Sequence, residues 1–496
     1  MEPRREVIQT DLLIIGGGSA GCMAAIAARE QGSLDVVVLE KAEISRSGDA
    51  GGGNDHLLAH LNSGAAWDTD QAMSEYYARV SHGLVDMNVA NRLHISRIKD
   101  VIERLESFGI QMRDPKTGQF IRTQSFGQQG PFFINYKGKR LKLVLADEVR
   151  KRGVKVFNRI NVTNLLKNGE KVVGAMGFSV RNGHFYVVKA KMTLIATGDA
   201  ARLWPNSSGL AFNTWMSPYN NGAGQAMAFR AGAELANMEL TVNTLVPKGF
   251  SAAGLNAFVG MGAFFLNSLG ERYMQKYHPT GEGAPRYLLT LGTYREITEG
   301  RGPCYVDCRH LPDEAMRHLT TNLLPVDKDT FMIFCKQKGI NLKKDLLEIQ
   351  ISEQQSAGIA GSVSGIVIDE EGKTTVDRLY AAGACTVPSF GMSGALAIGH
   401  SVGIEAAQAS LRMPSLDEHD REDVEKEIQS VYAPLYRGEG FPYQRFENRL
   451  RQIMADYVGD IRTEIGLKIG LEKLRELENH LDQIKAENYH ELMRVA

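Results

Sequence analysis

The chain contains 496 residues, with 57 Lys and Arg side chains against 58 Asp and Glu. This near-neutral balance argues against a nucleic-acid or anionic-membrane partner and makes a small molecule the expected ligand. The length allows two or three domains, and the apolar content of 43% is ordinary for a globular protein.

The amino terminus passes from a short charged stretch into an apolar strand. It lacks the apolar core and cleavage site of a signal peptide, and no apolar run of about 18 residues occurs elsewhere. We therefore expect a cytoplasmic protein that does not insert directly into a membrane.

The stretch DLLIIGGGSAGCMAAIAAREQGSLDVVVLEK (11–41) predicts a strand, a glycine turn, a helix and a second strand. Gly16, Gly18 and Gly21 have the GxGxxG spacing, which permits a tight turn, close approach to a pyrophosphate and close helix–strand packing. The helix N-terminus would offer unpaired N–H groups to the phosphates. Glu40 ends the second strand, where a carboxylate accepts both ribose hydroxyls. Together these features predict a dinucleotide site.

Two later segments favour FAD over a nicotinamide cofactor. The stretch AKMTLIATGDA (190–200) predicts a strand that ends in Ala196, Thr197 and Gly198. The stretch 374–410 predicts a strand, a turn at Gly383 and a small-residue helix whose positive end would face the flavin ring. A nicotinamide enzyme would concentrate these signals in one βαβαβ half. The wide spread therefore predicts an FAD domain that contains an insertion.

The cysteines do not form a metal-binding pattern. A single CxxxC pair without a second pair is far more often structural, so we expect no metal ion and no iron–sulfur cluster in this chain. The five cysteines are Cys22, Cys304, Cys308, Cys335 and Cys385.

Several stretches resemble the flavoprotein family of succinate dehydrogenase and fumarate reductase, along nearly the whole chain. They are GGGSAG (16–21), NNGAGQAMAFRAGAEL (220–235), GERYM (270–274), EITEGRGP (296–303), GIVIDEEGKT (365–374) and LYAAGA (379–384). The RSG at 46–48, with the glycine-rich run after it, further resembles the alpha subunit of adenylylsulfate reductase. The layout is closest to that branch of the family.

The resemblance implies an α/β fold with a Rossmann-like FAD-binding domain, an inserted α+β capping domain and a C-terminal helical segment. The implied boundaries are 1–240 and 351–412 for the FAD-binding domain, 241–350 for the capping domain and 413–496 for the helical domain. Members with covalent FAD have a histidine where this chain has Gly48, so we expect FAD to be held non-covalently.

The motifs and the resemblance together select a set of cofactor-binding candidates. They are Gly16, Gly18, Ser19, Ala20, Gly21, Glu40, Lys41, Ser47, Gly48, Gly52, Gly53, Asn54, Val162, Ala196, Thr197, Gly198, Asn221, Gly224, Gly383, Ala384, Ala395 and Leu396.

The tetrapeptide HPTG (278–281) matches the fumarate-binding signature of the family but stands in a different place. In the fumarate branch it precedes the GERYM-like segment by about thirty residues, whereas here it follows that segment. We therefore interpret His278 as a loop histidine before a proline turn. The segment at the expected place carries Asn243 instead.

Other substrate positions of the family also differ. By alignment, Ala360 replaces a second clamping histidine, Phe390 replaces a carboxylate-binding arginine, and Leu255 and Asn256 replace a threonine–glutamate pair. A dicarboxylate needs several charged donors, because desolvated and unpaired carboxylates are costly. Fumarate or succinate is therefore not the expected substrate.

Arg286 and His56 are the candidate catalytic residues. Arg286 keeps the spacing of the family's proton-delivering arginine, although a salt bridge within the cap would explain it equally well. His56 follows the glycine-rich loop expected under the flavin, and a buried structural histidine is the alternative. Trp204 and Trp215 either stack on substrate or fill the cap interface, with packing preferred. Further residues expected near the flavin are Asp55, Asn243 and Met392.

The predicted function is an FAD-dependent oxidoreductase that exchanges a hydride between flavin N5 and a small organic or anionic substrate. By resemblance, a separate ferredoxin-like iron–sulfur subunit would exchange the electrons. The alternatives are an electron-transferring flavoprotein subunit without its own substrate pocket and a true fumarate reductase or succinate dehydrogenase. An oxidase related to L-aspartate oxidase would need the dicarboxylate residues that are missing.

Overall fold

The computed structural model describes residues 3–205, 216–250, 255–355, 363–419 and 421–496. The strands are β1 (Arg5–Ile15), β2 (Val36–Glu40), β3 (Asn54–Leu58), β4 (Ile121–Thr123), β5 (Phe133–Gly138), β6 (Lys155–Asn158), β7 (Ile160–Asn168), β8 (Lys171–Ser179), β9 (Phe185–Ile195), β10 (Leu235–Ala236), β11 (Leu245–Pro247), β12 (Phe264–Leu266), β13 (Cys304–Asp307), β14 (Leu347–Ile351), β15 (Gly365–Val367), β16 (Leu379–Ala381), β17 (Thr386–Val387), β18 (Phe441–Pro442) and β19 (Ile484–Lys485). The helices are α1 (Ser19–Arg29), α2 (Asp70–Val80), α3 (Met87–Leu93), α4 (Ile98–Ser107), α5 (Leu141–Lys151), α6 (Ala223–Ala231), α7 (Leu255–Gly260), α8 (Arg286–Glu296), α9 (Asp313–His318), α10 (Leu324–Lys338), α11 (Gly391–Leu411), α12 (Arg421–Tyr436), α13 (Tyr443–Tyr457), α14 (Glu464–Glu478) and α15 (Tyr489–Val495).

The central sheet is built on the predicted strand–turn–helix–strand unit. Its parallel strands run in the order β6-β2-β1-β9, and β16 pairs in parallel with the last residues of β9. The earlier part of β9 pairs antiparallel with β8, which continues into β7. Every residue of β2 is buried, as expected for a strand of a parallel sheet that is covered on both faces. This topology is the Rossmann-like α/β arrangement that the sequence predicts.

Helices α1 and α11 pack backbone to backbone beside this sheet. A Cβ atom added at Gly399 would lie 2.5 Å from Ala20 O, and one added at Gly403 would lie 2.5 Å from Ala24 Cα. Since both contacts advance by four residues, the two helices run in the same direction. Gly391 starts α11 eight residues before Gly399, and Ser19 starts α1 one residue before Ala20, so the N-terminus of α11 extends about 10 Å beyond that of α1.

The segment between the two parts of the central sheet forms its own antiparallel sheet, in the order β11-β14-β13-β12. Helices α7 to α10 belong to the same stretch of chain. This sheet lies within the predicted capping segment, and the domain boundaries themselves remain predictions. A second small sheet, β3-β5-β4, follows the glycine-rich loop at 48–53.

The C-terminal helices pack against the outer strands β7 to β9. Tyr432 of α12 and Leu492 of α15 share a buried cluster with Phe178 and Val187, and the Tyr432 hydroxyl donates a hydrogen bond to Gly183 O at 2.7 Å. Among the described helices, none has both the length and the apolar character needed to cross a bilayer.

The contact between α1 and α11 gives a direct test of the fold. In an open helix, Gly→Ala is stabilising by up to about 1 kcal/mol. At Gly403 the added methyl group would overlap the backbone of α1, so Gly403→Ala should lower the free energy of unfolding by about 1–3 kcal/mol. Urea or thermal denaturation measures this change. Gly438→Ala is the control, because a Cβ there meets no atom within 4 Å. Equal stability of the two variants would contradict the packing.

Candidate functional site

The glycine-rich turn leads from β1 into α1, and its glycines have different roles. Gly16 has a φ of +100°, and a Cβ there would lie 2.4 Å from Ala196 O. A Cβ at Gly21 would lie 1.9 Å from Gly16 O. Both glycines are therefore required by the turn itself. A Cβ at Gly18 meets no atom within 4 Å, because Gly18 borders an open cavity.

Glu40 is fixed at the carboxyl end of β2. Its two carboxylate oxygens accept hydrogen bonds from Gly17 N and Ala42 N, both at 2.6 Å. The side chain is only 5% exposed, yet it lines the cavity. Each oxygen can accept a further hydrogen bond, so the carboxylate is held in place to receive ligand hydroxyl groups.

The first turn of α11 forms another wall of the same cavity. Gly391, Met392 and Ser393 all line it, and the first N–H groups of a helix have no partners within the helix. The cavity has a volume of about 630 Å³. It therefore receives two helix N-termini, one from each end of the sequence.

Most of the predicted cofactor residues line this cavity. They are Gly16, Gly18, Ser19, Ala20, Glu40, Lys41, Ser47, Gly48, Gly53, Asn54, Val162, Ala196, Thr197, Gly198, Asn221, Ala384 and Ala395.

Five predicted cofactor residues lie outside the cavity lining: Gly21, Gly52, Gly224, Gly383 and Leu396. Three of these glycines allow backbone segments to pack closely. For example, a Cβ at Gly224 would lie 1.9 Å from Thr197 Oγ1, and one at Gly383 would lie 2.7 Å from Ala20 Cβ. Leu396 is fully buried. Gly21, Gly224 and Gly383 therefore contribute to the packing behind the cavity walls, and the role of all five positions in cofactor binding stays a prediction.

Arg286 begins α8 and places its guanidinium in the cavity. Its Nε is buried and has no hydrogen-bond partner among the described residues, and the guanidinium lies over the Phe126 ring at 4.5 Å. Burial lowers the pKa of Arg286 to about 10, which still leaves the group charged at neutral pH. No ion pair within the described cap holds this arginine, so the structural alternative raised by the sequence finds no support.

His56 lies on β3 and also lines the cavity. Its Nδ1 is 2.9 Å from an Asp55 carboxylate oxygen, and its ring meets the edge of Phe133 at 4.8 Å between centroids. Phe133 in turn contacts Phe126. A continuous row of side chains thus connects His56 to Arg286.

The remaining candidates separate into three groups. Met392 and Phe390 line the cavity. His278, Trp204 and Asn243 do not: His278 Nδ1 bonds Thr280 Oγ1 at 2.8 Å, Trp204 Nε1 donates to Val458 O at 3.0 Å, and Asn243 Nδ2 donates to Asp460 at 2.9 Å. Trp215 and Ala360 lie outside the described residues.

Lys142 is a functional feature that the sequence analysis missed. This lysine is 1% exposed, and its Nζ donates to Gly17 O and to Cys22 Sγ, the latter at 3.2 Å. It places a positive charge directly beneath the glycine-rich turn. The lysine belongs to α5, which no nucleotide motif marks. His490 and Met493, from the last helix, likewise line the cavity without any sequence signal.

A pair of acidic side chains, also missed, lies at the cavity wall. Asn220 Nδ2 donates to Asp199 at 2.8 Å and to both Asp49 carboxylate oxygens at 3.2 Å. The Asp49 side chain lines the cavity and is surrounded by protein. Burial raises the pKa of both carboxyls, and the neighbouring Asp49 raises the pKa of Asp199 further.

The five cysteines are buried free thiols. Within the described parts of the chain, no three His, Cys, Asp or Glu side chains form a group that could hold a metal ion.

The sequence profile of a family described as FAD binding domain matches residues 11–399. The chain belongs to this family. One component of the fumarate reductase (CoM/CoB) from Methanothermobacter marburgensis is 28% identical over 97% of this chain and 86% of its own length. The 8-methylmenaquinol:fumarate reductase flavoprotein subunit of Wolinella succinogenes is 26% identical over 98% of this chain and 80% of its own.

Among solved structures, adenylylsulfate reductase from Archaeoglobus fulgidus superposes with a TM-score of 0.87 at 25% identity, and the match covers 100% of this chain and 87% of that one. These matches confirm the predicted family, the fold class and FAD as the cofactor. This member of the FAD-binding family is an FAD-dependent oxidoreductase, related to fumarate reductases and to adenylylsulfate reductase.

The pair Asp49–Asp199 predicts a specific pH dependence of stability. Above the ordinary aspartate pKa of 3.8 the folded protein keeps a proton that the unfolded chain releases. The contribution of Asp199 to stability is therefore lost as pH rises toward its raised pKa. The amide side chain of Asp199→Asn cannot ionise. The melting temperature of this variant minus that of the native protein, measured at the same pH, should therefore increase as the pH is raised from 5 to 8. Asp482→Asn, at an exposed site, should show no such trend. A constant difference for Asp199→Asn would contradict the assignment.

Proposed function

We propose that this chain is the flavoprotein subunit of an enzyme that exchanges a hydride with a small organic substrate. The substrate would bind beside Arg286 and His56, and a separate iron–sulfur protein would exchange the electrons. The observation that carries this proposal is the buried Nε of Arg286, which has no hydrogen-bond partner among the described residues and belongs to a side chain that lines the cavity reached by both helix N-termini. A buried cation without a counter-ion is costly unless a ligand provides one.

The residues around the cavity fit FAD from end to end. Ser19 Oγ is buried without a hydrogen-bond partner among the described residues and lies at the first turn of α1, where phosphate oxygens are stabilised by N–H groups and the helix dipole. Glu40 would accept the ribose hydroxyls. The N-terminus of α11, about 10 Å further along, would stabilise negative charge on the flavin ring. We infer that Gly48, which has no side chain to form a bond, leaves FAD non-covalently bound.

Bound FAD supplies hydride transfer at its N5 atom. Arg286 would orient the substrate through an anionic group and remain charged at neutral pH. His56, held by Asp55, would donate or accept the proton that accompanies hydride transfer, since the ordinary histidine pKa lies near neutral pH. Both residues therefore have a role in substrate binding or proton transfer.

A carrier subunit without a substrate pocket is the competing hypothesis. It predicts that the space beyond the cofactor site has collapsed around apolar side chains. The observed cavity instead is lined by the N-terminus of α11 and also by Arg286, Asn256 and Thr290. This polar lining supports catalysis over the carrier role.

The partner is inferred from the relatives. Two of them are named as subunits, so they act within larger assemblies. The resemblance to adenylylsulfate reductase and fumarate reductase points to an iron–sulfur protein as the electron partner. The five free thiols suit a reducing compartment and support a cytoplasmic location.

The glycine-rich turn allows FAD binding to be tested without disturbing the fold. In Gly18→Val the new side chain meets no protein atom near its Cβ but would occupy the phosphate position. Losing two hydrogen bonds to charged oxygens should weaken FAD binding by about 100-fold or more. The FAD content and circular dichroism of the purified variant measure this.

Gly438→Val is the control, and it should keep both its FAD and its fold. The melting temperature of Gly18→Val should equal that of the native protein stripped of FAD, because bound ligand adds to stability. Native FAD content in Gly18→Val would contradict the placement of the phosphates.

The partner is tested by isolating the tagged chain anaerobically from its native cells. A small protein should co-purify, carrying iron and acid-labile sulfide in fixed ratio to the flavin. Adding the reduced partner should bleach the flavin absorbance of the purified chain. Flavin that stays oxidised with every iron–sulfur protein recovered would overturn the partner assignment and leave the FAD assignment standing.

A further inference from the structure

The end of the cavity beyond the cofactor residues has one guanidinium group, surrounded by apolar, aromatic and a few polar side chains. Among the described side chains, four Lys or Arg residues line the cavity: Lys41, Arg46, Arg159 and Arg286. Arg286 is the one of these four that lies at this end. Lys41 is tied to Tyr219 O and Asn221 at 3.2 and 3.3 Å, and Arg46 donates to Gly51 O at 3.2 Å.

The loop segments beyond the described residues do not add a cation by sequence. Segments 206–215, 251–254 and 356–362 contain no Arg, Lys or His. Among the side chains that the structure describes, a substrate at this end of the cavity meets one guanidinium as its permanent positive charge.

Two further features define what this guanidinium can hold. Asn256 is 4% exposed, lines the cavity and has a buried Nδ2 without a hydrogen-bond partner among the described residues. This amide is a second donor in the cavity lining. The other lining residues include apolar and aromatic side chains, namely Phe126, Phe133, Leu245, Leu255, Phe265, Leu289, Phe390 and Met392, and the polar side chains of Thr244, Thr290 and His56.

We propose that the substrate is an organic monoanion: one carboxylate-like group on an otherwise apolar body. This inference rests on the proposed function and specifies its substrate class. Arg286 and Asn256 would satisfy one carboxylate, with the charge-assisted bonds that guanidinium groups form best. A second carboxylate would meet no second guanidinium or ammonium group among the described side chains at this end, and neutral hydroxyl groups would offset only part of its lost hydration.

Three small probes distinguish this class from its alternatives. Crotonate carries one carboxylate and a methyl group, fumarate carries a second carboxylate in place of that methyl, and crotonamide is neutral. Each is titrated at pH 7 into the FAD-loaded protein, and the change in flavin absorbance is recorded. Crotonate should bind at least about tenfold more tightly than either of the others, which corresponds to about 1.4 kcal/mol.

Variants assign the preference to the named residues. Arg286→Gln should abolish the preference for crotonate over crotonamide, whereas Arg295→Gln, at an exposed position on the same helix, should keep it. Asn256→Asp should weaken crotonate binding, because the new carboxylate would pair with Arg286 and repel the probe. This second variant tests the proposal even if Arg286→Gln does not fold.

Fumarate binding as tight as crotonate binding would overturn the monoanion proposal, as would an unchanged preference in Arg286→Gln or no crotonate binding at all. The FAD content of each preparation is measured first. A protein that fails to bind FAD contradicts the proposed function, whereas a protein that binds FAD but does not prefer the monoanion contradicts only the substrate class.

Discussion

The structure depends on the direct backbone contact between α1 and α11. Gly399 and Gly403 have no space for a side chain against Ala20 and Ala24, so the two helices lie as close as backbones permit. They run in the same direction, with their N-termini offset by about 10 Å. Two positive helix ends therefore open into one cavity, a spacing that suits a ligand with phosphates in the middle and an electron-accepting ring at one end. FAD has that form.

Different charged side chains lie near different parts of this cavity. Lys142 lies beneath the turn where the phosphates would bind, and burial together with the neighbouring Asp49 raises the pKa of Asp199. At the far end, α8 brings in Arg286 from the segment that interrupts the central sheet. The inserted segment thus adds a cation to a cavity that Lys41, Arg46 and Arg159 also line, so both parts of the chain contribute to this cavity.

Local sequence patterns predicted the nucleotide-binding unit because strand, turn and helix are set by neighbouring residues. The same reasoning rejected HPTG, and His278 lies outside the cavity. His490 could not be predicted, since it reaches the cavity from the last helix, which has no motif. Lys142 lies beneath the glycine-rich turn on α5, which no motif marks either. Gly224 and Gly383 stay predicted cofactor residues, although they do not line the cavity. They match the motifs of cofactor residues, yet the space they leave is filled by the protein itself.

A crystal structure of the protein purified with its bound FAD tests the central claim most directly. The account predicts one FAD molecule with its pyrophosphate at the N-terminus of α1 and its isoalloxazine ring at the N-terminus of α11, next to Arg286. Electron density for separate ligands at the two helices, or for an FAD that reaches only one of them, would contradict it.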